Sequence, residues 1–280
     1  NDFTNFDTNL ALLANQTGLI AASSSAAIEV TATEGNALKP FLNNFTVQNL
    51  AQAHTVAFGG FNSASATIPL GTGQTAGTLD FRIGSYSGDT FTEGSLTAQS
   101  IDITSNTTIQ DLAGQINALS GLNLSASVIK TGDNAFSLMI KSATGASNQI
   151  KLTARNAAGA TLSSVNFEAP ASTDSAKQIA VGEDASFKID NLTVTRATNT
   201  ITDVVAGVTL ELKQEIATNV EIGAAYDESM ALQVLTSMVT EINTLREIMS
   251  NMIAMGNAGA EGGPLRGDML IKSYVNRLKS

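Results

Sequence analysis

The sequence contains no cysteine, no tryptophan and a single histidine in 280 residues. Without cysteine there are no disulfides, no thiolate metal ligands and no cysteine nucleophile, which fits a reducing compartment or an exported protein that does without covalent staples. One histidine and no cysteine leave too few ligands for an ordinary zinc site. Basic residues are scarce: 15 Lys and Arg stand against 25 Asp and Glu, a net charge of −10 without any basic cluster. That balance disfavours nucleic-acid binding, because phosphate contacts need grouped cations. No apolar run approaches the roughly 20 residues that cross a bilayer. The best stretch, "LALLANQTGLIAA" at 10–22, is broken by Asn15, Gln16 and Thr17. Aromatic residues make up only 5%, and Ala, Ser, Thr, Asn and Gly fill their place. Such a composition favours repeated β-structure and polar contact surfaces over a deep ligand pocket.

What is present suits one to three globular domains, since 43% of the residues are hydrophobic. In "TIQDLAGQINALSGLNLSASV" (108–128), Ile109, Leu112, Ala113 and Ile116 recur at helical spacing and line one face. Thr108 and Asp111 form a capping-box pattern, and Gly121 stands where a left-handed cap would stop the helix, with Leu122 folding back towards Ile116. Leu124, Ala126 and Val128 then alternate with serines as a strand does. Asn117 is a poor helix former near the helix end, so a group outside the helix is expected to satisfy its amide.

Alternating runs fill the middle of the chain, among them "TLDFRIG", "AFSLMIK", "ASFKIDNLTVTR" and "VTLELK". The two ends read as helix. Phe3, Phe6, Leu10, Leu13, Thr17 and Ile20 make one seam; Leu235, Met238, Ile242, Leu245, Met249 and Met252 make another. A third helix, capped by Asp268, would carry Ile271, Tyr274, Val275 and Leu278. The expected fold is therefore α+β and multidomain: a discontinuous helical bundle formed by both chain ends, with two inserted β-rich domains. The expected division is 1–25 plus 218–280 for the bundle, 26–60 plus 172–217 for one β-rich domain, and 61–171 for the inner one.

Catalytic patterns are missing. No G-x-S-x-G surrounds any serine, so His54 has no triad context. "GTGQTAG" (71–77) lacks the Gly-Lys-Ser/Thr ending of a phosphate loop and reads as a turn before a strand. "TGDN" (131–134) lacks the spaced carboxylates of a calcium loop and reads as a hairpin turn. The expectation is a non-enzymatic protein with no cofactor and no bound metal.

The cassette resembles the repeated motif of flagellar hook-associated proteins and some flagellins, named for its Ile-Asn pair, here Ile116-Asn117. "FTVQNLAQAHTV" (45–56), "FKIDNLTVTRATNTITDVVAGVTLEL" (187–212) and "EGGPLRGDMLI" (261–271) follow in the order of one family, the flagellar filament cap proteins, also called hook-associated protein 2. Asn191 departs from that pattern, standing where a glycine is commoner, and the family's long terminal helices are expected to lie outside these residues. The resemblance implies a structural cap at the distal tip of the filament, extracellular and exported without a cleaved signal peptide, which promotes folding and insertion of flagellin. Implied partners are flagellin, other hook-associated proteins, further copies of the chain and a dedicated export chaperone, with contact to host surfaces as a further role. The alternatives are an extracellular adhesin, or another hook-associated protein or flagellin. Ile116, Asn117, Leu245, Leu265, Arg266 and Asp268 are the candidate structural or interaction residues.

Overall fold

The computed structural model describes residues 19–33, 38–226, 228–253, 263–264, 268–270 and 273. In chain order the strands begin with β1 (Leu19–Ser23), β2 (Ile28–Ala32), β3 (Phe41–Asn49), β4 (Ala53–Phe61), β5 (Ala76–Ser87), β6 (Thr90–Glu93) and β7 (Gln99–Thr104). Helix α1 (Ile109–Ala118) leads into β8 (Ser125–Gly132), β9 (Ala135–Thr144) and β10 (Gln149–Asn156). Short β11 (Gln178–Ala180) is followed by β12 (Ala185–Ile189), β13 (Leu192–Arg196), β14 (Thr200–Ile201), β15 (Val208–Leu212), β16 (Ile216–Tyr226) and the long helix α2 (Glu228–Ile253).

The strands form four sheets. Two have the orders β1-β16-β3-β12-β13 and β14-β15-β2; the others are β10-β5-β6, with β7 also on β5, and β11-β4-β9-β8. The last two sheets and α1 enclose one hydrophobic core running from Val56 to Phe167. Strand β5 shows why: Leu79, Phe81 and Ile83 alternate inward and are buried, while Thr78, Asp80 and Arg82 take the opposite face. Against them α1 presents Ile109, Leu112, Ala113 and Ile116, the stripe expected from the sequence. A second set of buried side chains, including Phe45, Val47, Phe187, Leu210 and Ile222, lies outside this cluster on the other two sheets. By compactness the chain divides into one unit of residues 22–33 and 42–222 and another of 1–21, 34–41 and 223–280.

The described residues are mostly β, and the bundle expected from both chain ends is not shown among them. Phe3 to Thr17 of the first seam lie outside them, as does most of the third helix. Ile20, read as the end of that seam, sits instead in β1, and residues 218–226, assigned to the helical part, belong to β16. The physical reason is period: Val220, Ile222 and Ala224 are buried at a spacing of two, a signal of half-buried strand that helix spacing cannot reproduce. Helix α2 does form over the second seam, and its Leu232, Leu235 and Val239 are exposed. Along it Thr236, Thr240 and Thr244 each donate the hydroxyl proton to the carbonyl four residues earlier, at 2.7, 2.9 and 3.0 Å.

Phe81 is fully buried on a strand hydrogen-bonded on both sides, so Phe81→Ala is expected to lower unfolding stability by about 3–5 kcal/mol through lost burial and a residual cavity. Urea unfolding followed by circular dichroism checks it; a midpoint unchanged from the parent would contradict this account of the core.

Candidate interaction sites

The cassette is built as a local unit. Thr108 caps α1: its hydroxyl oxygen accepts from the Asp111 N–H at 3.1 Å, and the Asp111 carboxylate accepts from the Thr108 N–H at 3.1 Å. The Thr108 hydroxyl also donates to the Asp111 carboxylate at 2.7 Å, and this bond together with that from the Thr108 N–H holds the Asp111 carboxyl below the usual range. The helix ends one step differently from expectation. Leu119 is already extended, its N–H bonded to Ile116 O, and the left-handed Gly121 comes two residues later, in the loop that buries Leu122. Asn117 then reaches across to β8. Its Nδ2 donates to Ala126 O at 2.8 Å and its Oδ1 accepts from Ala126 N at 2.7 Å. An amide thus pairs with a peptide unit on the open side of an edge strand, as a neighbouring strand would.

His54 is buried in the core rather than placed for chemistry. Its Nδ1 accepts from the Ile150 N–H at 2.9 Å, which leaves the proton on Nε2 to be donated to the side-chain amide of Gln178, whose terminus lies 3.0 Å away and accepts through its oxygen. The ring lies 5.4 Å from that of Phe167, and burial lowers its pKa from 6.5 to about 4. A second buried polar group secures the connector before β11. Asp174 Oδ2 accepts from the N–H groups of Glu168 and Ala169 at 2.8 and 3.0 Å. Lys177 Nζ donates to Asp174 Oδ1 and to the carbonyls of Ser163 and Asn166. Burial works against the Asp174 carboxylate, but the bonds from Lys177, Glu168 and Ala169 outweigh it and hold its pKa below the usual range.

The surface offers shallow depressions. Two of them, of about 230 and 460 Å³, both include Thr46 and Lys188 and run over the polar face of β3 and β12 with Asn44, Gln48, Asn219 and Glu215. Another follows the outer face of α1 along Gln110, Gly114 and Ala118. The Asp190-Asn191 turn beside Lys188 has φ of 45° and 71°, so at Asn191 the backbone needs the left-handed region, which asparagine tolerates better than most residues other than glycine. Among the described residues no group of three or more His, Cys, Asp and Glu could hold a metal, and no helix is long and apolar enough to cross a membrane.

Of the sequence-derived candidates, the fold brings Ile116 and Asn117 together in the cassette, one buried in the core and one bonded to the sheet edge. Leu245 falls within α2, but its side chain lies outside the described residues, as do Leu265 and Arg266. Asp268 accepts from the Leu270 N–H at 2.9 Å at the start of a helical turn, the geometry of a capping residue. Sequence reasoning missed Asn199, whose amide repeats the Asn117 arrangement on Ala51. Nothing local in "RATNT" distinguishes it.

Residues 182–280 match the family model described as the C-terminus of flagellar hook-associated protein 2. The chain is thus similar to flagellar hook-associated protein 2, with the family match confined to its C-terminal part. The protein of that name from Salmonella typhimurium is 23% identical over 165 residues, which are 56% of this chain and 34% of that protein. The chain therefore spans about a third of the length of the curated relative it matches. In fold it is similar to the D1-D2-D3 domains of the flagellar cap protein FliD from Escherichia coli, with a TM-score of 0.66 at 23% identity over 100% of this chain and 74% of that one. The D2-D3 domains of FliD from Serratia marcescens match with a TM-score of 0.59 at 25% identity, over 71% of this chain and 100% of that chain. FliD (HAP2) from Pseudomonas aeruginosa matches with a TM-score of 0.58 at 19% identity, over 84% of this chain and 100% of that chain.

Removing the Asn117 amide leaves the Ala126 N–H and C=O without their partner. Asn117→Leu is expected to cost about 1–3 kcal/mol, and Asn117→Asp to be no better than partial rescue, because a carboxylate accepts from Ala126 N but faces Ala126 O as a repelling oxygen. Chemical denaturation of the three proteins at neutral pH checks the order; equal stability of all three would show that the pair contributes nothing.

The pH dependence has a definite sign. The folded pKa of His54 lies below its unfolded value, so the unfolded state binds the proton first as pH falls, and stability is lost between 6.5 and about 4. The slope is at most about 1.4 kcal/mol per pH unit. Asp174, whose folded pKa is also depressed, adds to the loss below the ordinary carboxylate range. Unfolding curves from pH 7.5 to pH 4 in the parent and in His54→Gln check this: the variant is expected to show a shallower decline over that window.

Proposed function

We propose that this chain is part of a subunit of the flagellar filament cap, a structural assembly at the distal tip that promotes folding and insertion of exported flagellin. The observation that supports it best is the run of similarity across the whole chain to a cap protein's three domains, joined to the family match over residues 182–280. The surface agrees with a contact role, since its two depressions over β3 and β12 are shallow and lined mainly by Asn, Thr and Gln, with Asp190, Glu215 and Lys188 among them. In this reading the protein works without making or breaking bonds. Its partners are flagellin, other hook-associated proteins, further copies of itself and a dedicated export chaperone, and it resides outside the cell. The inner β-rich domain lies between the crossings at 50–52 and 181–184, wider than the 61–171 read from the sequence because β4 and β11 belong to its sheet; β3, β12 and β16 belong to the outer one, and the leg that faces the filament begins after β16.

Deleting the gene is expected to abolish swimming and to release monomeric flagellin into the medium, with both defects reversed by the intact gene. Electron microscopy of the filaments and immunoblotting of the culture supernatant decide it. Filaments of normal length in the deletion strain would overturn the cap assignment, and a loss of host-cell adherence with those normal filaments would favour an adhesin.

A further inference from the structure

The two sets of buried side chains in residues 42–222 are joined by only two stretches of chain, 50–52 between β3 and β4 and 181–184 between β11 and β12. These stretches run side by side, with Gln52 N donating to Glu183 O at 2.9 Å and Glu183 N to Gln52 O at 3.1 Å. Two such strands alone would make a hinge, since a pair of extended segments resists bending poorly.

The turn after β9, Thr144-Gly145-Ala146-Ser147-Asn148-Gln149, closes on this crossing from one side. Gly145 N donates to Gln52 O at 3.0 Å, Ala146 N to Asp184 Oδ1 at 2.8 Å, and Gln149 Nε2 to Gly182 O at 3.2 Å. Thr144 Oγ1 reaches past both stretches to Ala197 O at 2.7 Å, on the loop that follows β13. From that same loop Asn199 grips the first stretch, with Ala51 N donating to Oδ1 at 2.7 Å and Nδ2 donating to Ala51 O at 3.0 Å, while the Asn199 carbonyl accepts from Leu212 N in β15. The fit is close. A Cβ on Gly145 would sit 2.8 Å from Ala197 Cβ on a backbone with φ of +114°, and one on Gly182 would sit 2.8 Å from Gly145 O. The two glycines are therefore where the pieces touch.

We infer that residues 144–149 and Asn199 form a clasp that turns this crossing into a fixed joint, so that residues 42–222 move as one rigid lever. The contacts reach both stretches and the loop beyond them, and every one involves a backbone group, so none depends on a long flexible side-chain pair. Five tied pairs across a two-strand crossing remove the bending and twisting freedom a hinge requires.

The absence of cysteine allows a direct test, because two introduced cysteines are the only sites a thiol spin label can reach. Asp133→Cys places one label at the exposed tip of the β8–β9 hairpin and Thr193→Cys places the other on exposed β13. Electron-electron double resonance on this pair is expected to give one narrow distance distribution. Adding Gly145→Val, which drives a branched side chain into Ala197, is expected to widen it at least about twofold while near-ultraviolet circular dichroism stays native. Asn199→Leu together with Thr144→Val, which leaves both glycines in place, is expected to widen it likewise and decides the matter if Gly145→Val fails to fold. A broad or multiple distribution with the clasp intact, or an unchanged width in the folded variants, would overturn the fixed joint.

Discussion

A primary amide carries the same donor and acceptor as a peptide group, at nearly the same spacing, and this protein uses that equivalence where regular sheet pairing stops. Asn117 completes Ala126 at the open edge of β8, and Asn199 completes Ala51 where the chain passes between sheets. Both sites would otherwise leave a peptide unit's hydrogen bonds to water at a place where a neighbouring element packs. The rest of the architecture depends on these substitutions. With its partner amide in place, α1 is fixed in position and angle over the sheet, and its buried stripe of Ile109, Leu112 and Ile116 meets the core in register.

The same economy shows in how charge is handled. In an acidic chain with little lysine, half-buried Lys177 is bonded to two carbonyls and to Asp174, and the connector from 163 to 178 is arranged around it. His54 is likewise used as a neutral hydrogen-bonding ring that joins β4 to β10 and faces Gln178 in β11. Neither group has the exposure or the neighbours that proton transfer to a substrate would need. Both are taken up by the protein's own backbone and neighbouring side chains.

Legibility in the sequence followed the range of the interaction. The cassette was readable because its capping box, apolar stripe and strand alternation all lie within about twenty residues, and Asn117 drew attention by being a poor helix former near a helix end. The turns at 133–134 and 190–191 were readable for the same reason, being marked by Asp and Asn. Strands β1 and β16 were misread because Ile20 extends a helical spacing begun upstream, and because a weak alternation of Val220, Ile222 and Ala224 stands directly before a strong helix. Asn199 and Thr144 gave no signal at all. Their partners are 148 and 53 residues away, and nothing in a short window separates an asparagine that grips a distant peptide from one that faces water.

Helix α2 presents a face more apolar than its composition states. Thr236, Thr240 and Thr244 turn their hydroxyl protons back onto the helix's own carbonyls, so each has its donor already committed. Leu232, Leu235 and Val239 are exposed beside them, so that the two sets together cover about half of the helix circumference. A tally of hydroxyls would therefore overestimate the donors this face offers to water or to a neighbouring element.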